Sequence, residues 1–245
     1  MVNRTHFGSK TVDADDKQSL VDEVFHSSAQ NYDIMNDLMS AGMHRIWKEE
    51  AVRLLQLSGS EVVCDIAAGS GDLTKKILRK CQHVYMTDIN SSMLNLGYNR
   101  MLDECVDSMK LSPILANAEF LPFADKVFDR MICGFGIRNM TNMDRALSEF
   151  YRCLKPGGRL VILEFSKVKP GPLNDLYQIY SQNIIPALGS MFAKDRDSYQ
   201  YLVDSINNHP NQEQFSELMQ HAGFSEVAWH NQAFGAVAIH VGIKL

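Results

Sequence analysis

Apolar runs and helical patterns alternate along the middle of this 245-residue chain. Five segments rich in apolar and β-branched residues predict strands, at residues 62–66, 84–87, 111–115, 127–133 and 159–165. Helical spacing of apolar residues follows three of them and predicts a helix at 72–79, one capped by Asn90 and one capped by Thr141. Strands and helices that alternate in this way predict a mostly parallel sheet with helices on both faces.

The two ends of the chain depart from this alternation. Residues 1–16 are polar and predict a mobile arm, and the helical patterns after them are clearest at 46–57. Residues 167–210 contain four prolines and several helical fragments, too long for an ordinary connection, and predict a lid. A helix at 212–222 and strands at 226–231 and 236–243 close the chain. We therefore expect N-terminal helices covering the active site over 1–60, and a main domain over 61–245.

Composition narrows the class of protein. The net charge of −5 argues against nucleic acid as a partner, and no run of 18 apolar residues is present to span a bilayer. The polar N-terminus lacks the apolar core of a signal peptide. The five cysteines are scattered and form no Cys-x-x-Cys pair, which favours reduced thiols in the cytoplasm over disulfides or a metal site.

A glycine-containing turn follows the first predicted strand and reads Gly69-x-Gly71-x-x-Thr74. In open α/β sheets a nucleotide-like cofactor lies beyond the carboxyl end of this strand. A dinucleotide fingerprint has glycine at the position of Thr74, and no phosphate-binding lysine follows the turn as in a P-loop. The turn thus predicts a nucleotide-like cofactor without fixing which one.

Two further strand ends carry suitable side chains. Asp88, followed by Ile89, ends the second strand, where a carboxylate can accept hydrogen bonds from ribose hydroxyls. Asn117 and Ala118 end the third strand, where an adenine would lie. In this order the residues resemble class I S-adenosylmethionine-dependent methyltransferases. That resemblance implies a Rossmann-like seven-stranded sheet whose last strands form an antiparallel hairpin, with a helical lid after the fifth strand.

The resemblance gives a set of expected cofactor contacts. The cofactor's sulfonium and amino group are cationic, so Asp65 and Asp72 near the turn would favour them electrostatically. Thr74, Asp88, Asn117 and Ala118 are carried over from the family pattern. The complete predicted set is Asp65, Ala67, Gly69, Gly71, Thr74, Asp88, Ile89, Asn117 and Ala118.

Longer motifs resemble the ubiquinone/menaquinone biosynthesis C-methyltransferase family over nearly the whole chain. They are Thr5-His6-Phe7-Gly8, Tyr32-Asp33-x-Met35-Asn36-Asp37-Leu38-Met39-Ser40-x-Gly42-x-His44-Arg45-x-Trp47-Lys48, Phe135-Gly136-x-Arg138-Asn139-x-Thr141, Arg159-Leu160-x-x-Leu163-Glu164-Phe165-Ser166, Ser198-Tyr199-x-Tyr201-Leu202 with Ser205-Ile206, and Gly235-x-Val237-Ala238-x-His240-x-Gly242-x-Lys244. The resemblance implies methylation of a ring carbon of 2-methoxy-6-polyprenyl-1,4-benzoquinol, demethylmenaquinol or both. The chain departs from the family pattern in two places. The turn has fewer glycines than the family commonly has, and Gly134 stands where the family often has a serine that contacts the cofactor.

A quinol carbon becomes nucleophilic when a neighbouring hydroxyl loses its proton. Arg138 follows the fourth strand, and its positive charge beside the phenolic oxygen would favour that loss. With Asn139 and Tyr32 it would orient a water that carries the proton away, because an arginine is too basic to act as the base itself. For Arg138 the alternative is an ion pair that fixes its loop, and for Tyr32 it is a packing role. His44 and His240 are the other conceivable bases.

Several alternatives stay open at this point. The enzyme could methylate a sterol or a phenolic oxygen, or the chain could be a non-catalytic scaffold of a quinone-synthesis complex. Thr74 and Asn117-Ala118 disfavour an NAD(P) oxidoreductase. Peripheral contact with the inner face of a membrane, a quinone-biosynthesis complex and a homodimer are the open partner assignments beside the polyprenylated quinol.

Overall fold

A central seven-stranded sheet organises the fold in the computed structural model, which describes residues 4–7, 10–13, 17, 40, 42–104, 108–168 and 196–245. Its strands are numbered after an N-terminal pair, β1 Arg4–Phe7 and β2 Lys10–Asp13, and are β3 Val62–Ile66, β4 His83–Asp88, β5 Leu111–Leu115, β6 Phe128–Gly134, β7 Leu154–Phe165, β8 Ser225–Gln232 and β9 Val237–Ile243. They lie in the order β5-β4-β3-β6-β7-β9-β8. Strands β3 to β7 are parallel, and β9 pairs antiparallel with both β7 and β8.

Helices cover both faces of the sheet, as predicted. Their bounds are α1 His44–Leu54, α2 Asp72–Leu78, α3 Ser91–Asp103, α4 Met143–Cys153, α5 Arg196–Asn208 and α6 Gln212–His221. Side chains of β7 alternate between the two resulting cores, with Val161 and Leu163 on one face and Leu160 and Ile162 on the other. The first core also holds residues of α1, α2 and α3, and the second holds residues of α4 and α6. In the part of the chain described, no helix is long and apolar enough to cross a membrane.

The predicted strands and helices agree with the structure to within a few residues, with two local corrections. The helix cap expected at Thr141 is at Asn142, whose side chain accepts from the backbone of Arg145, while Glu119 Oε1 accepts from the amides of both Thr141 and Asn142. Strand β7 begins at Leu154 rather than at residue 159. It extends because Gly157 and Gly158 exchange backbone hydrogen bonds with Lys244.

The predicted mobile arm contains a hairpin of two strands, β1 Arg4–Phe7 and β2 Lys10–Asp13. The two strands are separated by only two residues, Gly8-Ser9, and a glycine in so short a link is a hairpin signal that was available in the sequence. Strand β1 contacts α5, which belongs to the predicted lid. The rest of the predicted lid, residues 169–195, and residues 18–39 lie outside the described residues.

The cysteines agree with the expected reduced state. Cys64, Cys81, Cys133 and Cys153 are free and buried, and Cys105 lies outside the described residues. Burial raises the pKa of the Cys81 thiol to about 11, so it is neutral near pH 7.

Helix α3 lies unusually close to the turn after β3, because it has a glycine at the contact. A Cβ added at Gly97 would lie 2.8 Å from the Gly69 carbonyl oxygen and 2.9 Å from the Ser70 carbonyl carbon. Backbone atoms cannot yield as a flexible side chain can, so Gly97 sets the distance between α3 and the turn.

We expect Gly97→Ala to lower the free energy of unfolding by about 1–2 kcal/mol. The overpacking cost of roughly 1–3 kcal/mol exceeds the gain of about 1 kcal/mol in helix propensity. Chemical denaturation measures it, with Asn95→Ala, at an exposed position of the same helix, as the control. A Gly97→Ala protein as stable as Asn95→Ala would show that the close contact is not needed.

Candidate active site

The turn between β3 and α2 has a backbone that favours small residues. Residues Ala67, Gly69 and Gly71 have positive φ angles of 50°, 55° and 84°. Glycine adopts such angles without steric cost, whereas Ala67 carries some strain. The Ala68 amide donates to the Thr87 carbonyl over 2.9 Å, which ties the turn to the end of β4. The turn is therefore a fixed backbone surface at the edge where the parallel strands end, the carboxyl edge of the sheet.

Asp65 and Thr74 form a buried pair beneath this turn. Both side chains are fully buried, and the Thr74 hydroxyl donates to Asp65 Oδ2 over 2.6 Å. Asp65 Oδ1 is buried and has no hydrogen-bond partner among the described residues. Burial raises the pKa of Asp65 to about 7, although the Thr74 hydrogen bonds and the charge of Lys48 act to lower it. Thr74 thus has a specific bond where a dinucleotide fingerprint would have glycine.

Asp88, at the end of β4, stabilises the turn through backbone hydrogen bonds. Its Oδ2 accepts from the Gly69 amide over 2.8 Å and its Oδ1 from the Asn90 amide over 2.9 Å. The residue is 8% exposed, so it is not a surface turn acid. Each carboxylate oxygen has two acceptor positions, so a carboxylate can accept from ribose hydroxyls as well as from backbone amides. Ile89, which follows it, is half-buried.

Asn117 and Ala118 lie next to Asp88 at the end of β5. The Ala116 amide donates to the Asp88 carbonyl over 2.9 Å, which joins the two strand ends. Asn117 Oδ1 accepts from the Glu119 amide over 2.8 Å. Ala118 is half-buried and packs against the second core. The predicted cofactor residues from β3, β4 and β5 therefore come together at one edge.

Lys48 on α1 neutralises the acid at the start of α2. Its Nζ lies 2.6 Å from Asp72 Oδ2, and the lysine side chain is only 8% exposed. Burial acts to raise the pKa of Asp72, but the charge and hydrogen bond of Lys48 outweigh it and hold the pKa below its ordinary value. The negative charge expected to face the cofactor at Asp72 is thus largely compensated within the chain.

Arg138 forms a buried ion pair in the loop after β6. Its Nη1 donates to Glu164 Oε1 over 2.7 Å and to the Phe135 carbonyl over 2.6 Å. The side chains of Arg138 and Glu164 are 5% and 2% exposed. Arg138 Nε has no partner among the described residues, and the guanidinium lies 5.3 Å from the Phe165 ring centroid. The ion pair considered as the alternative role of Arg138 is therefore present, and one of its donors stays unused within this part of the chain.

Asn139 connects the same loop to α5. The Tyr201 hydroxyl donates to Asn139 Oδ1 over 3.0 Å, and burial raises the pKa of Tyr201 to about 12. The amide oxygen is thus engaged by the protein. Tyr32, the third predicted catalytic residue, lies outside the described residues. The N-terminal segment does reach this loop, since Lys17 Nζ donates to the Met140 carbonyl over 2.8 Å.

Two buried histidines, His209 and His240, lie close enough together to interact electrostatically. Burial lowers the pKa of His209 to about 3, with Arg138, His240 and Lys167 adding to the shift. Burial likewise lowers the pKa of His240 to about 4, and its Nε2 contacts the Gln212 carbonyl at 3.0 Å. Both imidazoles are neutral near pH 7, and the Gln212 contact gives His240 a structural role.

Gly134 departs from the family serine for a reason visible in the packing. A Cβ at this position would lie 2.6 Å from Leu73 Cδ1, so Leu73 occupies the space that a serine side chain would use.

Among the described residues, no cluster of three or more His, Cys, Asp or Glu side chains could hold a metal ion.

Several residues that build the site had no role predicted from the sequence. Glu164 and Tyr201 stood inside recognised motifs, but their pairing with the 135–141 loop depends on β7 and α5 lying beside it. The charge of Glu164 inside an apolar strand was the available signal, because a buried carboxylate needs a partner. Lys48 and Gly97 gave no comparable signal.

The comparisons with known proteins fit this site. The profile of the ubiE/COQ5 methyltransferase family matches residues 11–244. The "Ubiquinone/menaquinone biosynthesis C-methyltransferase UbiE" of Neisseria meningitidis is 50% identical over 244 residues, 98% of each chain. The protein of that name from Laribacter hongkongensis is 50% identical over 248 residues, 100% of each chain.

A solved structure shares the fold. Phosphoethanolamine N-methyltransferase 2 of Haemonchus contortus, in complex with S-adenosyl-L-methionine, superposes with a TM-score of 0.60 at 16% identity. The match covers 80% of this chain and 52% of that one. With the profile spanning nearly every residue and relatives at 50% identity along their whole length, this chain belongs to the ubiE/COQ5 methyltransferase family.

Proposed function

We propose that this enzyme transfers a methyl group from S-adenosylmethionine to a ring carbon of a polyprenylated quinol. The acceptor is 2-methoxy-6-polyprenyl-1,4-benzoquinol, demethylmenaquinol or both, in ubiquinone and menaquinone biosynthesis. The observation that carries the proposal is 50% identity over 98–100% of relatives that bear this activity in their names.

The residues at the carboxyl edge suit this cofactor. S-adenosylmethionine, when bound, supplies the electrophilic methyl group. Asp88 would accept from the ribose hydroxyls, and Asn117 with Ala118 would bound the adenine. The turn at Ala67, Gly69 and Gly71 would present backbone, while Asp65 Oδ1 beneath it, which has no partner in the described part of the chain, would supply a negative field for a cationic ligand. An orphaned buried carboxylate oxygen is uncommon, which supports a ligand of positive charge at this turn.

Arg138 would act on the acceptor electrostatically. An unperturbed phenol titrates near ~10, so a guanidinium beside the oxygen favours its ionisation at neutral pH. Glu164 holds that guanidinium in place, and Asn139, fixed by Tyr201, would lie beside the acceptor with Tyr32. Loss of the phenolic proton places negative charge on the ring carbon beside the oxygen-bearing carbon, and this carbon then attacks the methyl group. The proton leaves through a water, because the Glu164 carboxylate is held in its ion pair with Arg138 and the buried His209 binds a proton only at low pH.

We expect S-adenosylmethionine to bind several-fold more tightly as the pH rises from about 5.5 to 7. Over that range the cofactor's amino group stays protonated, with an ordinary pKa near ~7.8, while Asp65 loses its proton around its pKa of about 7. A cation favours the ionised carboxylate, so binding releases protons. Calorimetry in buffers of different ionisation enthalpy measures both effects.

Two variants of this pair test the origin of the pH dependence. Asp65→Asn is expected to bind more weakly and with no slope over this range. Thr74→Val removes a hydrogen bond that lowers the pKa of Asp65, so the rise in affinity should move to higher pH. Wild-type affinity that is flat between about pH 5.5 and 7 would contradict the role given to Asp65.

The acceptor is tested by deleting the gene and identifying what accumulates. The proposal predicts the quinone that lacks the ring methyl group, and quantifying the benzoquinone and naphthoquinone forms decides whether one or both are substrates. Complementation by an Asp88→Ala plasmid should fail where a wild-type plasmid restores the methylated quinone. Normal quinones in the deletion strain would overturn the proposed function.

We also propose that the enzyme acts in the cytoplasm, peripherally at the inner face of a membrane. The free, buried cysteines and the polyprenyl tail of the proposed acceptor support this location.

A further inference from the structure

Basic side chains are concentrated on the outer face of α1 and α2. A groove of about 390 Å³ between these helices is lined by six of them and by the acids Glu49 and Asp72. This groove therefore has four more positive than negative charges, in a chain whose net charge is −5. The basic residues are Arg45, Lys48, Lys75, Lys76, Arg79 and Lys80.

Ion pairs cancel only part of this positive charge. Lys48 pairs with Asp72, and Lys75 pairs over 2.6 Å with Glu104 just outside the lining, so counting Glu104 leaves three more positive than negative charges. Glu49 is shared by two lysines, since its carboxylate lies 2.7 Å from Lys76 Nζ and 3.1 Å from Lys80 Nζ. Lys76, Lys80 and Glu49 have side chains that are 30%, 47% and 53% exposed, so these are surface pairs of little strength. The lysines can turn toward another anion at small cost.

Apolar groups lie beside the charges. A second groove, of about 450 Å³, adjoins the first through Glu49 and Lys80 and contains the aliphatic side chains of Ile46, Val52 and Leu57. Ile46 is 60% exposed, and Met43, one helical turn before it, is 42% exposed. Basic side chains around exposed apolar ones are typical of a surface that rests in a lipid headgroup layer.

This face, which we call the α1–α2 face, begins at the active site. Lys48 pairs with Asp72, the first residue of α2, directly after the cofactor turn at the carboxyl edge. A surface lying along α1 and α2 would therefore have that edge beside it. An acceptor with a polyprenyl tail resides in the bilayer and needs such a position.

We propose that the α1–α2 face docks on an anionic phospholipid surface, with its lysines and arginines on the headgroup phosphates and with Ile46 and Met43 inserted among them. The advantage for catalysis rests on the proposed function, but docking itself does not. Each basic residue near such a surface strengthens binding several-fold, so a cluster of them can bind it although the net charge of the chain is −5.

Vesicle sedimentation of the full chain tests the proposal. We expect binding to vesicles of phosphatidylcholine with about one-third phosphatidylglycerol, and at least tenfold weaker binding to phosphatidylcholine alone. Raising the ionic strength from about 0.05 to 0.5 M should release the protein. Equal binding to both vesicles, or no binding to either, would overturn the proposal.

Matched variants locate the surface. Lys76→Gln/Arg79→Gln/Lys80→Gln should weaken vesicle binding by about ten- to 100-fold, and Ile46→Asp should also weaken it. The control Lys110→Gln/Lys126→Gln/Lys155→Gln removes the same charge elsewhere and also breaks a surface ion pair, that of Lys155 with Asp129. If the control and test variants bind vesicles equally, the protein either docks through another surface or binds only through its net charge, and the proposal is wrong.

Two further readouts separate docking from folding and from the proposed reaction. The thermal midpoint and S-adenosylmethionine affinity of the test variants should match the wild type, because these side chains lie at the surface. Turnover of a short-tailed quinol in detergent should also be unchanged. If the wild type binds anionic vesicles but methylates no quinol, docking stands and the proposed function fails.

Discussion

Replacing Asp88 with alanine is expected to weaken S-adenosylmethionine binding by roughly 30- to 1000-fold, the loss of about 2–4 kcal/mol from charged hydrogen bonds to the ribose. The same change removes the acceptor for the Gly69 and Asn90 amides, so the turn itself should loosen. Calorimetric titration measures the affinity. Asp88→Asn, which keeps one oxygen acceptor, should fall between the wild type and alanine.

Asp129 offers a matched control at the opposite edge of the sheet. Its Oδ2 accepts from the Val62 amide over 2.9 Å, at the start of β3, which leads into the turn that Asp88 bonds. Asp129→Ala should therefore lower stability while leaving cofactor affinity unchanged. Equal affinities of Asp88→Ala and the wild type would remove the ribose role assigned to Asp88.

Replacing Arg138 with lysine is expected to lower kcat by about 10²- to 10³-fold, with little change in cofactor affinity. Lysine keeps the charge near Glu164, but it cannot donate in the planar geometry of the guanidinium. Single-turnover measurements on a quinol substrate, with calorimetry for the cofactor, separate the two quantities. Turnover within a few-fold of the wild type would leave Arg138 only its structural ion pair.

A second pair of variants distinguishes catalysis from folding. Arg138→Met leaves the buried Glu164 with backbone amide donors but no positive charge, and should lower stability by about 3–5 kcal/mol. Adding Glu164→Gln removes that buried charge and should recover most of the stability. Turnover should stay low in the double variant, whereas recovery of turnover together with stability would show that the pair only supports the fold.

The sequence predicted the parallel part of the sheet well because its strands are buried on both faces. Continuous apolar runs such as 62–66 and 159–165 have few alternative structures. The closing hairpin β8–β9 was also predicted, although from turn residues and a family resemblance. The hairpin at Arg4–Asp13 was missed because its polar composition was given more weight than the two-residue link between its strands.

The candidate site was predictable where function depends on backbone position. The turn Gly69–Gly71 and the acids at the ends of β3 and β4 follow from strand order, and the structure brings them together. Contacts between distant segments were not predictable. Lys48 with Asp72, and Tyr201 with Asn139, depend on how α1 and α5 pack on the edge, which no local pattern specifies.

Methyl transfer to a ring carbon is tested most directly by the position of the transferred methyl group in the product. Purified enzyme is incubated with methyl-¹³C S-adenosylmethionine and a short-tailed methoxy-benzoquinol or demethylmenaquinol under reducing conditions, and the product is examined by NMR. We predict a ¹³C-methyl group bonded to the ring carbon in the wild-type product, formed at least about a hundredfold more slowly by Arg138→Lys. A label on oxygen, or no transfer to either quinol by enzyme that binds the cofactor, would contradict it.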